Sequence, residues 1–386
     1  MKTKNQKLTY IPNMIEPLKS LFESRGFIAT RASRFEDYNL YIENRDFLSK
    51  DNFITFMNGS KLMALKHDVT LSIVKNIPNH ELETSEKLYY MDEVYRLSQK
   101  TNEYKVISQL GIELIGPADP FSNIEVIDLS LQTMAAIGPN FVLDISHIGF
   151  IYGVLEDLQL SKKSIDSILS ALHSKSTHII EEILKNEKIY EPTIENILKL
   201  SNLRKPLSEA VYELSVFCTT EKIKQAYFEL EIIAKALSNN NMSNRIFLDF
   251  STISNMAYYD NIVLAGYYQG VSKRILAGGR YDNLLKKMNK QSGAIGFAID
   301  LSELNLYNSP NNKDFDAVIY YSPDCDFSAL LNSRADLLNK YNTVRLEKDT
   351  QLKNFSRQDS YHFRKDSTHA EKIIGAIKLE DVLWST

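Results

Sequence analysis

From Glu156 to Ser238 the chain contains no glycine, and Leu and Ile recur at spacings of three and four. Ile165, Ile168, Leu169 and Leu172 form one such stripe; Ile179, Ile180, Ile183 and Leu184 form another. That period is helical, and a long block without glycine leaves nowhere for tight hairpins. The spacing predicts an all-helical insertion over about residues 156–240, closed by the Asn-rich run Ser238–Ser243. On both sides of it the pattern is that of strands. Phe53–Phe56 and Leu62–Leu65 flank Asn58-Gly59, a strong hairpin signal. Leu88–Leu97 and Ile107–Ile115 read as an antiparallel pair joined by the polar loop Ser98–Tyr104, and Phe141–Ser146 as a further strand. After the insertion come Ile246–Phe250, Ile262–Tyr267, Ser272–Leu276 and the apolar run Ala294–Ile299. Helices are expected over residues 12–26, stopped by Gly26, and over Ile124–Met134 and Tyr281–Met288.

A helical block inside an antiparallel sheet places the chain in the α+β class. The polar stretch Asn308–Lys313 reads as a linker, and beyond it Ala317–Tyr321, Phe327–Lys340 and Thr343–Leu346 read strand, helix, strand. The expected organisation is a large domain over 1–312 and a small α/β unit over 313–386, about half the usual domain size.

Bulk properties exclude more than they assign. The formal net charge is −4, which removes the simplest argument for nucleic-acid binding, since phosphate contacts need clustered Lys and Arg. Cys218 and Cys325 are the only cysteines and fit neither a metal-ligand spacing nor a disulfide framework, so no metal or other cofactor is expected. Met1–Tyr10 is polar and lysine-containing with no apolar run behind it, unlike a secretory leader, and no stretch reaches the ~18 apolar residues of a membrane span. The expectation is a cytoplasmic protein with no membrane contact.

Three separated segments carry a resemblance. Leu88–Gly116 (LYYMDEVYRLSQKTNEYKVISQLGIELIG) resembles the second signature of class II aminoacyl-tRNA synthetases in its histidyl version: strand, arginine, loop, strand, then Gln-x-x-x-Glu. Asn255–Tyr267 (NMAYYDNIVLAGY) is similar to the histidine-binding Tyr-Tyr segment. Ala277–Leu304 (AGGRYDNLLKKMNKQSGAIGFAIDLSEL) resembles the third signature with its Gly-Gly-Arg-Tyr-Asp lead-in. The similarity runs in order over roughly residues 10–306 and implies the class II synthetase fold, an antiparallel sheet flanked by helices.

The departures from the family pattern point away from catalysis. Where the family has the arginine that activates the histidine carboxylate, this chain has Ser254, and the aspartate before the tyrosines is Ala257. The third signature ends Asp300, Leu301, Ser302, Glu303, with a carboxylate where the family's arginine grips ATP phosphates. Arg96 survives in the second signature, but its acidic neighbour is Ser98 and the loop arginine is Glu103; the first-signature proline is Ser33. Charge developing on a phosphoryl group needs fixed cationic partners, and these exchanges remove them.

The amino-acid side is better kept. The family's Arg-Pro-Glu-x-Thr appears as Lys66 to Thr70, so the resemblance assigns Asp68 to the ligand ammonium with Thr70 beside it. Gln109 and Glu113 share a strand face by their even spacing, Glu113 for the imidazole and Gln109 for a main-chain group. Tyr258 and Tyr259 supply an aromatic wall; if they lie in a strand they face opposite sides, which favours Tyr259 as the ligand contact. Arg96 would hold the ligand carboxylate or be a relic. A lost ATP site beside a kept histidine site implies a sensor. The regulatory subunits of short-form ATP phosphoribosyltransferase are a paralogous family of this kind. They have an aspartate like Asp68, a run like Val263–Tyr267 and a run like Asp144–Gly149 (DISHIG). That resemblance implies no catalysis, histidine as effector, a short-form catalytic subunit as partner, a homodimer core over residues 10–120 within a larger hetero-oligomer, and no work on tRNA. The alternative is an active histidyl-tRNA synthetase or another amino-acid-activating ligase.

Simpler readings stand beside these. Asp68 and Glu113 could be structural ion-pair partners, and the two tyrosines core filling. His147 reads as a core or capping residue, Gly278-Gly279 as a turn or bulge rather than a phosphate cradle, and Arg280 and Asp282 as a local pair. Lys286-Lys287 and Lys162-Lys163 read as solvated helix faces.

Overall fold

The computed structural model describes residues 12–48, 53–97, 103–117, 119–252, 258–307, 316–348, 359–363 and 368–372. The chain divides into two compact units, Met1–Tyr307 and Asn308–Thr386.

The first unit opens with α1 (Pro12–Ser24), the short edge strand β1 (Ile28–Ala29), β2 (Phe35–Asp37), α2 (Tyr38–Glu43), the hairpin β3 (Thr55–Asn58) and β4 (Lys61–Leu65), and α3 (Val69–Val74). Then come the long strands β5 (Glu86–Leu97) and β6 (Tyr104–Gly116), α4 (Pro120–Ile137), β7 (Phe141–His147) and α5 (Ile148–Asp157). The insertion follows as α6 (Lys162–His173), α7 (Thr177–Asn186), α8 (Glu191–Ser201), β8 (Arg204–Pro206), α9 (Leu207–Glu213) and α10 (Glu221–Leu237). The unit ends with β9 (Ile246–Asp249), β10 (Ile262–Tyr268), β11 (Leu276–Arg280), α11 (Asp282–Lys287), β12 (Gly293–Asp300) and α12 (Leu301–Tyr307).

These strands build a nine-stranded sheet in the order β1-β5-β6-β12-β11-β10-β7-β9-β8, with β2-β4-β3 as a separate three-stranded sheet. The centre from β5 to β7 is antiparallel throughout; only β1 on β5 and β9 on β7 are parallel. Alternation sorts the residues of β6 between two layers. Leu110, Ile112 and Leu114 enter the main core with Leu18 and Phe22 of α1 and Val126, Ile127 and Met134 of α4. Gln109, Gly111, Glu113 and Ile115 turn to the opposite face, which is covered by a second cluster containing Tyr41, Val69, Leu71, Tyr90, Tyr258, Tyr281 and Leu284. Helix starts are capped as their sequences dictate: Asp119 accepts from Phe121 N at 3.1 Å ahead of Pro120, and Ser161 accepts from Ser164 N at 3.1 Å.

The first apolar stripe expected in the insertion is buried, Ile165, Ile168, Leu169 and Leu172 all lying in the main core; of the second, Ile180 and Leu184 are in the core and Ile183 packs against it, but Ile179 is exposed. The insertion is not all helical, however. Arg204–Pro206 pairs antiparallel with β9 as the last strand of the sheet, where proline's missing N–H costs no ladder bond. Two further expectations are corrected. The strand placed at Ser272–Leu276 lies instead at Leu276–Arg280, so Gly278 and Gly279 are strand residues, not a turn. Tyr258 and Tyr259 precede β10 outside any strand, so the opposite-sides argument does not apply to them. The linker Asn308–Lys313 lies outside the described residues.

In the second unit β13 (Ala317–Tyr321), α13 (Phe327–Leu338), β14 (Val344–Lys348), β15 (Asp359–Phe363) and β16 (Glu371–Lys372) form a sheet in the order β14-β13-β15-β16. Its first three strands are parallel, and Ala317, Ile319, Leu330, Val344, Tyr361 and Phe363 make its core. Neither β15 nor β16 was expected from the pattern.

Candidate functional site

Glu113 lies directly across from Gly296 on β12, and Gly296 across from Gly279 on β11. The row is a trough. A Cβ at Gly296 would collide with Glu113 Oε2 and Ile112 O, so the carboxylate lies over the neighbouring backbone. A Cβ at Gly279 (φ +154°) would meet Tyr259 Cδ1 at 2.7 Å, so a phenol ring lies over the next strand. Glu113 is buried. Thr70 Oγ1 donates to its Oε1 at 2.5 Å and Tyr281 Oη donates to its Oε2. Burial pushes its pKa from 4.5 to about 8; those two hydrogen bonds oppose the shift, and the Asp68 charge adds a little to it. Protonated, such a group keeps an O–H to donate and some acceptor capacity, which leaves it able to meet a ligand.

Around it stand the other residues singled out above. Asp68 caps α3, its Oδ1 accepting from Leu71 N at 2.8 Å, while Oδ2 lies 3.7 Å from Arg96 Nη2. Arg96 Nε donates to His67 O at 3.1 Å, which fastens β5 to the segment that carries Asp68 and Thr70. Tyr258 and Tyr259 meet edge to face at 4.9 Å between ring centres, and Tyr258 lies 5.8 Å from Tyr281. Burial, then the Asp68 and Glu113 charges, raise the Tyr258 phenol well above its usual range; burial takes Tyr259 to about 12. Gln109 shares the face of Glu113, paired with Asp300 on one side and Asp92 on the other. Asp68, Thr70, Arg96, Glu113, Tyr258 and Tyr259 are thus one neighbourhood, with Gln109 at its end.

Several contributors were not singled out from the sequence. Tyr281 holds Glu113 from 168 residues away. Tyr90 is a buried phenol whose pKa is driven up by burial and by the Glu113 and Asp68 charges. Lys66 is fully buried and pairs with Asp92 at 2.5 Å, anchoring the start of the Asp68 segment. Tyr281 and Gly296 were visible only as letters of the third signature.

Asp300 and Glu303 stand where the resemblance puts the family's phosphate grip. Asp300 Oδ1 accepts from Ser302 N at 2.9 Å and Glu303 N at 3.0 Å, and Glu303 pairs with Lys273. Glu103 is exposed, and Ser33 is engaged in a local turn, its Oγ donating to Phe35 O at 2.6 Å. Ser98, Ser254 and Ala257 lie outside the described residues. Of the simpler readings, His147 caps α5, its Nδ1 accepting from Phe150 N at 3.2 Å, and Arg280 pairs with Asp282 at 2.8 Å. Among the described residues no helix is long and apolar enough to cross a membrane.

An antiparallel sheet with a carboxylate, a threonine and tyrosines gathered on one face, and a helical insertion before its last strands, is the architecture of a class II aminoacyl-tRNA synthetase. The family model described as Histidyl-tRNA synthetase matches residues 4–304, and the chain belongs to that family. Its relatives include a protein of Oceanobacillus iheyensis named ATP phosphoribosyltransferase regulatory subunit, 24% identical over 330 residues, which span 83% of this chain and 81% of that one. A solved structure from Bacillus halodurans, described as an ATP phosphoribosyltransferase regulatory subunit/histidyl-tRNA synthetase, has the same fold, with a TM-score of 0.71 at 22% identity over 92% of this chain and 94% of that one. A chain of the ATP phosphoribosyl transferase (HisG:HisZ) complex from Thermotoga maritima shares it too, with a TM-score of 0.59 at 17% identity over 75% and 96%.

Proposed function

We propose that this chain is a non-catalytic regulatory subunit of a hetero-oligomeric ATP phosphoribosyltransferase, binding histidine in the trough around Glu113. The observation that carries the reading is the contrast within one sheet face. A buried carboxyl group ringed by Thr70, Tyr258 and Tyr281 is kept for an imidazole, while the phosphate end holds Asp300 and Glu303. Asp68 takes the ligand ammonium, Gln109 a main-chain group, and Arg96, braced on His67 O, the carboxylate or the Asp68 segment itself. The names of the relatives support the partner, a short catalytic subunit, which this chain activates and to which it reports histidine. No cofactor and no tRNA enter this role.

A homodimer core over residues 10–120 fits the same reading. Ile28 on the edge strand β1 is 70% exposed, and Met57, Phe35 and Val106 are also exposed. Apolar groups left uncovered along this segment are available for burial against a second copy. The deciding experiment is calorimetry with histidine. Glu113→Ala should weaken binding by roughly 10- to 150-fold, the value of one charge-assisted contact. With the catalytic subunit present it should blunt feedback and leave activation intact. Unchanged histidine affinity in a folded Glu113→Ala protein overturns the assignment.

A further inference from the structure

Away from the Glu113 trough, the same sheet face carries a second cavity, of about 710 Å³, where the insertion meets β7, β9 and the β10–β11 turn. Asp144 lies four strands from Glu113 in the order β6-β12-β11-β10-β7, roughly 19 Å at ordinary strand spacing. Among the described residues, Lys175, Arg204, Lys273 and Arg274 line the cavity together with the carboxylates Asp144 and Asp249, and Glu303 pairs with Lys273, in a chain whose net charge is −4. The cations come from three separate segments: the end of α6, β8, and the turn before β11.

The two aspartates are buried and already engaged. Arg204 Nη2 lies 3.0 Å from Asp144 Oδ1 and its Nε 3.5 Å from Asp249 Oδ2; Lys175 Nζ is 3.1 Å from Asp249 Oδ2. Asp249 Oδ1 accepts from Ser251 N at 2.8 Å and Ser251 Oγ at 2.6 Å. The carboxylates therefore hold Arg204, which also stacks on Phe247 at 4.8 Å, rather than presenting free negative charge to a ligand. Lys273 is paired with Glu303. A guanidinium fixed by two buried acids, in a cavity lined also by Lys175, Lys273 and Arg274, is an arrangement suited to a phosphate group. The volume far exceeds what inorganic phosphate fills and lies in the range of small-molecule sites.

We propose that this cavity binds the phosphate group of a small phosphorylated metabolite, a nucleotide or a sugar phosphate, independently of histidine. Because its walls come from both the insertion and the sheet, an occupant would tie the two together.

The test is calorimetry on the full chain with AMP, ribose 5-phosphate, inorganic phosphate and adenosine. AMP or ribose 5-phosphate should bind with an affinity that falls as salt rises, inorganic phosphate should compete, and adenosine should bind far less well. If ribose 5-phosphate matches AMP the ligand is a sugar phosphate; if only AMP binds it is a nucleotide. Arg274→Glu and, separately, Lys175→Glu should each weaken the phosphorylated probe tenfold or more, roughly the value of one charge-assisted contact. Lys162→Glu, at the start of α6 and outside the cavity lining, should change nothing. Glu113→Ala should leave AMP binding intact, which separates this site from the histidine trough. Equal binding of adenosine and AMP, no binding of any phosphorylated probe, or full affinity in both Arg274→Glu and Lys175→Glu would overturn the proposal.

Discussion

Raising the pH through the titration of Glu113 should switch off histidine binding in a way that Glu113→Gln cannot. Burial lifts this carboxyl group to about 8, above the ~6.5 of an ordinary imidazole. At pH 7 the empty site therefore holds a proton and the incoming imidazole does not, so the pair carries one proton between them. Above pH 8 neither has it, and binding must draw one from solvent. Affinity in the parent then follows the protonated fraction of Glu113 and should drop about tenfold between pH 7 and pH 9. In Glu113→Gln no such proton exists. Calorimetric affinities of the two proteins, taken as a ratio across that range, cancel the titration of the ligand's own ammonium. The ratio should be level below pH 7 and fall beyond pH 8. The same shift acts on folding. A carboxyl raised from 4.5 to about 8 binds its proton more tightly in the native state, so its contribution to stability is full below pH 4.5 and is lost as pH rises to 8. Up to ~5 kcal/mol is lost across that window, and urea unfolding at pH 5 and pH 8 should show Glu113→Gln free of that loss. A parent-to-variant affinity ratio that stays flat to pH 9 would refute the reasoning.

Other outcomes follow from the geometry already described. With acids at the phosphate end, histidine-dependent ATP–pyrophosphate exchange should not exceed a no-protein control. Gly296→Ala would drive a methyl group into the Glu113 carboxylate and should lower stability by ~1–3 kcal/mol while abolishing histidine binding, read by thermal melting and calorimetry. Asp68→Ala removes both the cap of α3 and the ammonium partner; Asp68→Asn should recover most of the ~1 kcal/mol of capping in denaturant titrations but not the affinity. Light scattering should report at least a dimer at micromolar concentration, and Ile28→Glu together with Met57→Glu should shift it toward monomer.

Periodicity made the fold largely readable. The stripes of the insertion and the alternation of β5 and β6 are patterns in which each residue's role depends on its near neighbours. What escaped depends on partners far along the chain. Gly278 and Gly279 look like a turn until Tyr259 is seen lying over the second of them. Arg204–Pro206 is a strand only because β9 offers it an edge. The assigned site residues do gather in one place, but Tyr281, which holds Glu113, and Gly296, which makes room for it, carry no local signal of that role. The second cavity was invisible for the same reason. Asp144, Arg204 and Asp249 have ordinary neighbours in sequence and meet only across three strands.

The trough has a floor made of backbone. With no side chain at Gly279 or Gly296, the Glu113 carboxyl and the Tyr259 ring rest on the peptide planes of the sheet, and their height above it is set by the ladder itself. Nothing bulkier can be inserted at those two positions without lifting both groups. Asp300 and Glu303, by contrast, sit on side chains that can be exchanged one at a time. If the trough holds histidine as proposed, such exchanges leave the depth and orientation of the ligand where the sheet puts them.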